Sequence, residues 1–241
     1  MDETKRREEF RDVCGKHQIA KTLHHGYDRF YPRYIKELGN IPNFGMVEIG
    51  MNEINSVKMW LEYFPNAYIY GMDIGMESRG ERYSIFRGDQ SNLEHLVKFS
   101  RYISTFHYEI YLIIDDGTHF PDHQVGTFNY LFANVLKPGG IYIIEIIETS
   151  YWKDGSLYGH TFNFGYGNTK SIVEIFKSLV DTINIEFISN EDRETMTSPI
   201  SADAQKMISS ITFGQNCIIV TKKTEDEAKY SDRAYRFACY V

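Results

Sequence analysis

The segment Leu112-Ile113-Ile114-Asp115-Asp116-Gly117-Thr118-His119 is an apolar run that ends in two carboxylates, a glycine and a histidine. Acids and an imidazole at the end of a buried strand cost desolvation unless they bind or react with something. A second apolar run, Ile141 to Ile144, follows Gly139-Gly140 and ends on Glu145. Two neighbouring strands that bring acids to one sheet edge form a site for a cation, a polarised hydroxyl, or both. Upstream, three shorter runs end on Glu48-Ile49-Gly50, on Asp73 and on Asp89-Gln90. A strand-end acid on its own reads equally well as a helix cap or a loop acceptor. Three at successive strand ends favour a nucleoside pocket.

The positioning elements follow from periodicity. Residues 3 to 38 read as helical with a break near Gly26, Tyr27 to Leu38 forming the second helix. Strands are expected at Phe44–Ile49, Ala67–Met72, Tyr83–Phe86, Ile110–Ile114, Ile141–Ile147, Ile183–Ile188 and Asn216–Thr221. Helices are expected at Asn55–Phe64, after the Ser91-Asn92 cap (Leu93, Leu96 and Val97 inward), at 121–136 ahead of Lys137-Pro138-Gly139-Gly140, and at Ser171–Asp181. Residues 190–215 are polar and poorly periodic. This alternation predicts an α/β chain with a doubly wound, mostly parallel seven-stranded sheet of the Rossmann-like kind, preceded by N-terminal helices. The expected division is a helical segment at 1–42, a core at 43–222 and a tail at 223–241 within one domain. The tail's Tyr235, Phe237 and Tyr240 could pack on the body or on a second subunit, so a homo-oligomer is an open expectation.

In such a sheet ligands sit beyond the carboxyl ends of the strands. There a glycine lets the backbone approach the ligand, and an acid ending the second strand accepts from ribose hydroxyls. Only Gly50 follows the first strand, which weakens a dinucleotide reading. S-adenosylmethionine (SAM) has no pyrophosphate and needs no full glycine fingerprint.

The net charge of −7 over 241 residues argues against duplex nucleic acid as a partner. Cys14, Cys217 and Cys239 are too few and too scattered for a disulfide framework. No run is long and apolar enough for a membrane span, and MDETKRREEF carries no signal-peptide core, so a cytoplasmic protein is expected.

Several motifs together carry a family resemblance. Ser56-Val-Lys-Met59-Trp60 leads to Tyr63-Phe64-Pro65 and Gly71-Met-Asp73-Ile74. These are followed by Gly88-Asp89-Gln90-Ser91, Asp115-Asp116-Gly117-Thr118-His119, Pro138-Gly139-Gly140 and Thr149-Ser150-Tyr151-Trp152. Over roughly residues 20 to 155 the chain resembles the SAM-dependent macrolide O-methyltransferases of the mycinamicin and demethylmacrocin type, with Lys21…His25-Gly26-Tyr27 resembling their N-terminal signature. The resemblance implies a class I methyltransferase fold. It places Gly50, Ser56, Asp73, Asp89 and Gln90 along the SAM cleft, joined by Glu48, Asp115 and Tyr27; Asp115 is expected to orient the loop or the SAM amino group. It also implies Asp116 as a Mg²⁺ ligand and His119 as the base that deprotonates a sugar hydroxyl. The larger macrolide enzymes carry a further N-terminal domain, for which this chain is too short.

The sequence departs from that pattern after the fifth strand. The resemblance implies a Glu-Asp pair there, but the chain reads Glu145-Ile146. Asp116 and Glu145 remain as metal ligands and would hold Mg²⁺ more weakly than a fuller oxygen set. Glu148 would face the wrong way if the strand continued. His119 acting without metal is the simpler alternative, and a SAM-binding or partner-binding protein that no longer methylates is another. Asp122 and His123 read as first-turn helix residues, and His17, His95, His107 and His160 show no ligand spacing. Between Tyr151 and Tyr166, aromatics interleaved with glycines suit a lid over a sugar or polycyclic acceptor, with Tyr151 and Trp152 as substrate contacts.

Overall fold

The structure, a computed structural model, describes residues 2–51 and 53–229. The chain begins with α1 (Glu3–Lys16), α2 (Ala20–Leu23) and α3 (Tyr31–Ile35). It continues through β1 (Phe44–Ile49), α4 (Ile54–Tyr63), β2 (Tyr68–Asp73), β3 (Ser78–Arg79), β4 (Tyr83–Arg87), α5 (Leu93–Ser104), β5 (Glu109–Asp115), α6 (Pro121–Thr127) and β6 (Ile141–Glu145). A short hairpin, β7 (Gly155–Leu157) and β8 (His160–Phe162), precedes α7 (Ile172–Ile183), α8 (Asn190–Thr195), α9 (Ala202–Lys206), β9 (Ile208–Gly214), β10 (Cys217–Lys222) and α10 (Glu225–Lys229).

Eight strands form the main sheet in the order β3-β4-β2-β1-β5-β6-β10-β9. The central five are parallel, whereas β3, and β10 against both of its neighbours, pair antiparallel. The chain order turns outward on both sides of β1, so the switch point lies between β1 and β5, where this fold places its ligand.

The doubly wound sheet is as expected, with eight strands where seven were expected. The two-residue β3 is too short to register as a pattern. Ile183–Ile188 is not a strand: Ser171 caps α7 through the Glu174 amide, and the face Ile172, Ile175, Phe176 and Leu179 keeps the segment helical as far as Ile183. A single 3-10 turn, Ile185–Phe187, follows. The closing strand is instead β9, inside the stretch that read as aperiodic. As an edge strand bonded on one side only, it tolerates Ser209, Ser210 and Thr212. The expected helix Tyr27–Leu38 is broken into a 3-10 turn, α3 and a second 3-10 turn. Gly26 enters that segment with a left-handed backbone (φ +66°). The tail aromatics and Cys239 lie outside the described residues.

Side-chain alternation gives the sheet two buried faces. On one, Phe44, Met46, Ile69, Leu112, Ile114, Ile141 and Ile143 pack under Phe10, Tyr31, Trp60 and Phe64 of the N-terminal helices and α4. On the other, Val47, Tyr70, Ile113, Tyr142 and Ile144 pack under α5, α6 and α7. That parity decides where each strand-end acid points.

Candidate active site

A cleft of about 420 Å³ opens at the carboxyl ends of β1, β2, β4 and β5, within the size range of small-molecule and cofactor sites. Its lining includes Gly50, Asp73, Asp89, Gln90 and Asp116. Gly50 sits at the switch point with φ +85°. A Cβ there would lie 2.2 Å from the Asp116 carbonyl oxygen, so the close approach of the β1 and β5 loops depends on glycine. Asp73 accepts the Gly75 and Met76 amides on Oδ1, and its Oδ2 has no partner among the described residues. Asp89 accepts from the Ser91 amide and hydroxyl through Oδ1, and these bonds hold its carboxyl below the usual range despite partial burial.

Gln90 has a different task. Its amide donates to Asp115 Oδ1 (2.7 Å) and accepts from the Thr118 amide (3.0 Å), so it braces the 115–118 loop. Asp115 has the parity of Ile113 and points into the α5–α7 side, fully buried, with Tyr142 donating to its Oδ2 at 3.3 Å. Burial pushes its carboxyl up to about 7, against the hydrogen bonds from Gln90, Gly117 and Tyr142. It shapes the loop from behind and does not line the cleft.

Glu48, Asp116 and Glu145 share the opposite parity, with Met46, Ile114 and Ile143, at the ends of the adjacent strands β1, β5 and β6. They converge on one point, and the ammonium of Lys21 occupies it. Lys21 Nζ lies 3.1 Å from Glu48 Oε1, 2.9 Å from Asp116 Oδ2 and 2.7 Å from Glu145 Oε1. Burial alone would lower the ammonium's pKa, but the carboxylates outweigh it and hold it well above its ordinary value. Glu145 is pushed up to about 8 by burial and the Asp116 charge, against Lys21 and the Tyr31 hydroxyl that donates to it. Ser56 and Trp60 donate to Glu48 Oε2, so Glu48 and Ser56 form a buried brace outside the cleft lining. As placed, these oxygens do not fit a divalent ion: each acid already gives one oxygen to Lys21. Among the described residues no cluster of three or more His, Cys, Asp or Glu is arranged to hold a metal.

Strand β6 ends at Glu145, and Ile146 turns left-handed (φ +53°), an unusual backbone for a β-branched residue. Tyr27 accepts from the Ile146 amide (3.2 Å) and donates to the Asn216 carbonyl (3.0 Å), so it supports this turn away from the cleft lining. Glu148 is exposed, accepts from the Asn216 side chain (2.9 Å) and takes no part in the acid cluster.

His119 has φ +58° and is 1% exposed, with Nε2 4.0 Å from Asp116 Oδ1 and Nδ1 buried without a hydrogen-bond partner among the described residues. Burial lowers its pKa, against the pull of Asp116, so the imidazole is neutral near pH 7 and able to accept a proton. The β7–β8 hairpin covers this end. Its tip residue Tyr158 lies with its ring 5.8 Å from that of His119. Tyr158 and His160 line the cleft along with His123, whose Nδ1 is 3.0 Å from the Thr118 hydroxyl. Tyr158 belongs to the aromatic, glycine-rich stretch expected to form a lid; the two histidines carry no such signal, His123 reading as a first-turn helix residue and His160 reaching the site only because a two-residue turn at Tyr158-Gly159 folds the hairpin back. The expected substrate contacts lie elsewhere. Tyr151 is 51% exposed and absent from the lining, and Trp152 packs edge-on against Phe162 (5.6 Å).

No family model matches the chain. It is 28% identical over 219 residues to mycinamicin VI 2''-O-methyltransferase of Micromonospora griseorubida, covering 84% of this chain and 49% of that protein. It is 31% identical over 189 residues to 8-demethyl-8-alpha-L-rhamnosyl tetracenomycin-C 2'-O-methyltransferase of Streptomyces olivaceus, covering 74% and 45%. Among solved structures, the MycE methyltransferase in complex with Mg, SAH and mycinamycin VI superposes with a TM-score of 0.72 at 25% identity, over 90% of this chain and 55% of that one. The chain thus spans about half the length of the curated relatives it matches. These findings bear out the motif resemblance: the chain is similar to O-methyltransferases of macrolide and tetracenomycin glycosides and carries a Rossmann-like methyltransferase fold.

Proposed function

We propose that this chain is a SAM-dependent O-methyltransferase that acts in the cytoplasm on a hydroxyl of a sugar or glycosylated small molecule. The observation that carries the reading is the cleft at the β1–β5 switch point, open beside Gly50, Asp73 and Asp89 and closed off by the His119 loop. Gly50 lets the β1 and β5 loops close together at the cleft floor, and Asp73 Oδ2, without a partner among the described residues, can accept from ribose hydroxyls. When bound, the cofactor supplies an electrophilic methyl group. The chain's own residues position the acceptor and take its proton, and neutral His119 is the group able to do so, with Asp116 beside it to stabilise the imidazolium. Because His119 is buried beneath the hairpin, the acceptor reaches it only when Tyr158 moves aside.

The same burial favours a second reading, a cofactor-binding protein that does not methylate. Titration calorimetry with S-adenosylhomocysteine beside NAD, followed by methyl transfer to a panel of glycosylated macrolides and free sugars, separates the two. Binding with turnover supports the enzyme, and binding without turnover on any acceptor supports the second reading. Absence of S-adenosylhomocysteine binding at millimolar ligand refutes both.

A further inference from the structure

We infer that Lys21 is the resident cation of this site, supplied by the chain in the position where a divalent ion would otherwise serve the strand-end acids. An ammonium has three N–H donors and no acceptor. Here three carboxylate oxygens, from Glu48, Asp116 and Glu145, surround it at 2.7 to 3.1 Å. Two of these contacts, to Asp116 Oδ2 and Glu145 Oε1, are hydrogen bonds and the third, to Glu48, is an ion-pair contact, and the residue is 3% exposed. The acids come from three adjacent strands, and the lysine comes from α2, far away in sequence but folded onto the same sheet face.

Little is left for a metal. Glu48 Oε2 is taken by Ser56 and Trp60. Glu145 Oε2 has no hydrogen-bond partner among the described residues, and Asp116 Oδ1 faces His119 at 4.0 Å. Two oxygens from two acids fall short of the oxygen shell Mg²⁺ demands, and Ile146 adds none. A dication beside them would also meet the Lys21 charge at close range. Lys21 is thus a positioning residue: it offsets one of the acids' charges and fixes Asp116 Oδ2, which leaves Oδ1 directed at the His119 imidazole.

The metal arm of the test does not rest on the methyl-transfer reading, because it uses Mn²⁺ alone. Free Mn²⁺ is followed by electron paramagnetic resonance against the wild type, Lys21→Met and Lys21→Met/Asp116→Asn. The wild type should leave the free-ion signal unchanged to millimolar Mn²⁺. Lys21→Met should take up one equivalent, at least about tenfold more tightly, because it frees the oxygens of Glu48, Asp116 and Glu145 that face the ammonium, Glu145 losing its proton as the metal binds. The double variant should lose that uptake. One equivalent bound by the wild type and abolished by Asp116→Asn overturns the inference, as does a folded Lys21→Met that binds none. If Lys21→Met does not fold, the wild type with and without Asp116→Asn still decides. Where turnover is found, it should persist in excess EDTA; loss in EDTA with recovery on Mg²⁺ overturns the inference too.

Discussion

Replacing Gly50 with alanine tests the geometry on which the cleft depends. The added Cβ falls 2.2 Å from the Asp116 carbonyl oxygen and 2.6 Å from Gly117 Cα, both backbone atoms, whereas real Cβ contacts essentially never fall below 3.0 Å. The β5 loop must therefore retreat by roughly 0.8 Å. It is held in place by the Asp116 amide bonding to the Ile49 carbonyl (3.0 Å) and by Lys21 on the Asp116 carboxylate. Overpacking of this kind costs about 1–3 kcal/mol, and an alanine held at φ +85° adds about 1–2 kcal/mol, so roughly 2–5 kcal/mol of stability should be lost. Because Asp116 and Gly117 line the cleft, S-adenosylhomocysteine affinity should fall by at least about tenfold, or 1.4 kcal/mol. Urea denaturation and calorimetry read the two effects. Gly126→Ala is the control, since Gly126 is an exposed helical glycine with nothing within 4 Å of an added Cβ, and it should be neutral or mildly stabilising. A Gly50→Ala protein within about 0.5 kcal/mol of wild type and with unchanged affinity would refute the close-approach argument.

Three further outcomes follow from the structure. Asp115 has a folded-state pKa of about 7 against an ordinary 3.8, so its contribution is fully present below about 3.8 and is lost as pH rises through about 7. Asp115→Asn keeps an acceptor for Gln90 and removes this dependence. The difference in melting temperature between variant and wild type should therefore grow in the variant's favour from pH 5 to pH 8, and parallel curves would contradict the assignment. Lys222 donates to the carbonyls of Phe132 (2.7 Å), Ala133 (3.2 Å) and Leu136 (2.7 Å) beyond α6, so Lys222→Met should cost roughly 1.5–3 kcal/mol in denaturant while leaving ligand affinity alone. An unchanged midpoint counts against it. If the methyl-transfer reading holds, Tyr158→Ala should raise the acceptor KM several-fold through a lost aromatic contact of about 1 kcal/mol, whereas Tyr151→Ala should leave it unchanged; equal effects would remove the distinction drawn from the cleft lining.

The sheet was legible because its central strands are buried on both faces and read as continuous apolar runs, each stopped by an acid or a glycine. Edge and irregular elements were not. Strand β9 pairs on one side and is rich in serine and threonine, so its alternation is faint, while Ile183–Ile188 alternates well but follows a capped amphipathic helix that runs into it. Local pattern gave way in both places to what the neighbouring elements offered: a free edge on β10, and a helix with a buried face to complete.

At the site, each residue's position along its strand was readable, but its counter-charge was not. Counting residues from Met46, Ile114 and Ile143 puts Glu48, Asp116 and Glu145 on one face and Asp115 on the other, and this parity could have been worked out from the strands alone. Two buried acids and a third at the cleft edge, on adjacent strands, call for a cation, since bare carboxylates in an apolar layer are costly. The sequence suggests a metal by resemblance, and Ile146 weakens that suggestion without naming a replacement. The replacement lies 95 residues before Asp116 and 124 before Glu145, in a four-residue helix whose apolar pattern is too short to orient Lys21. It reaches the acids because Tyr27 and Tyr31, stacked at 5.0 Å, tie the N-terminal segment to the Ile146 amide and to Glu145. Ile146 supplies no carboxylate to this point, so a single ammonium faces the three strand-end acids.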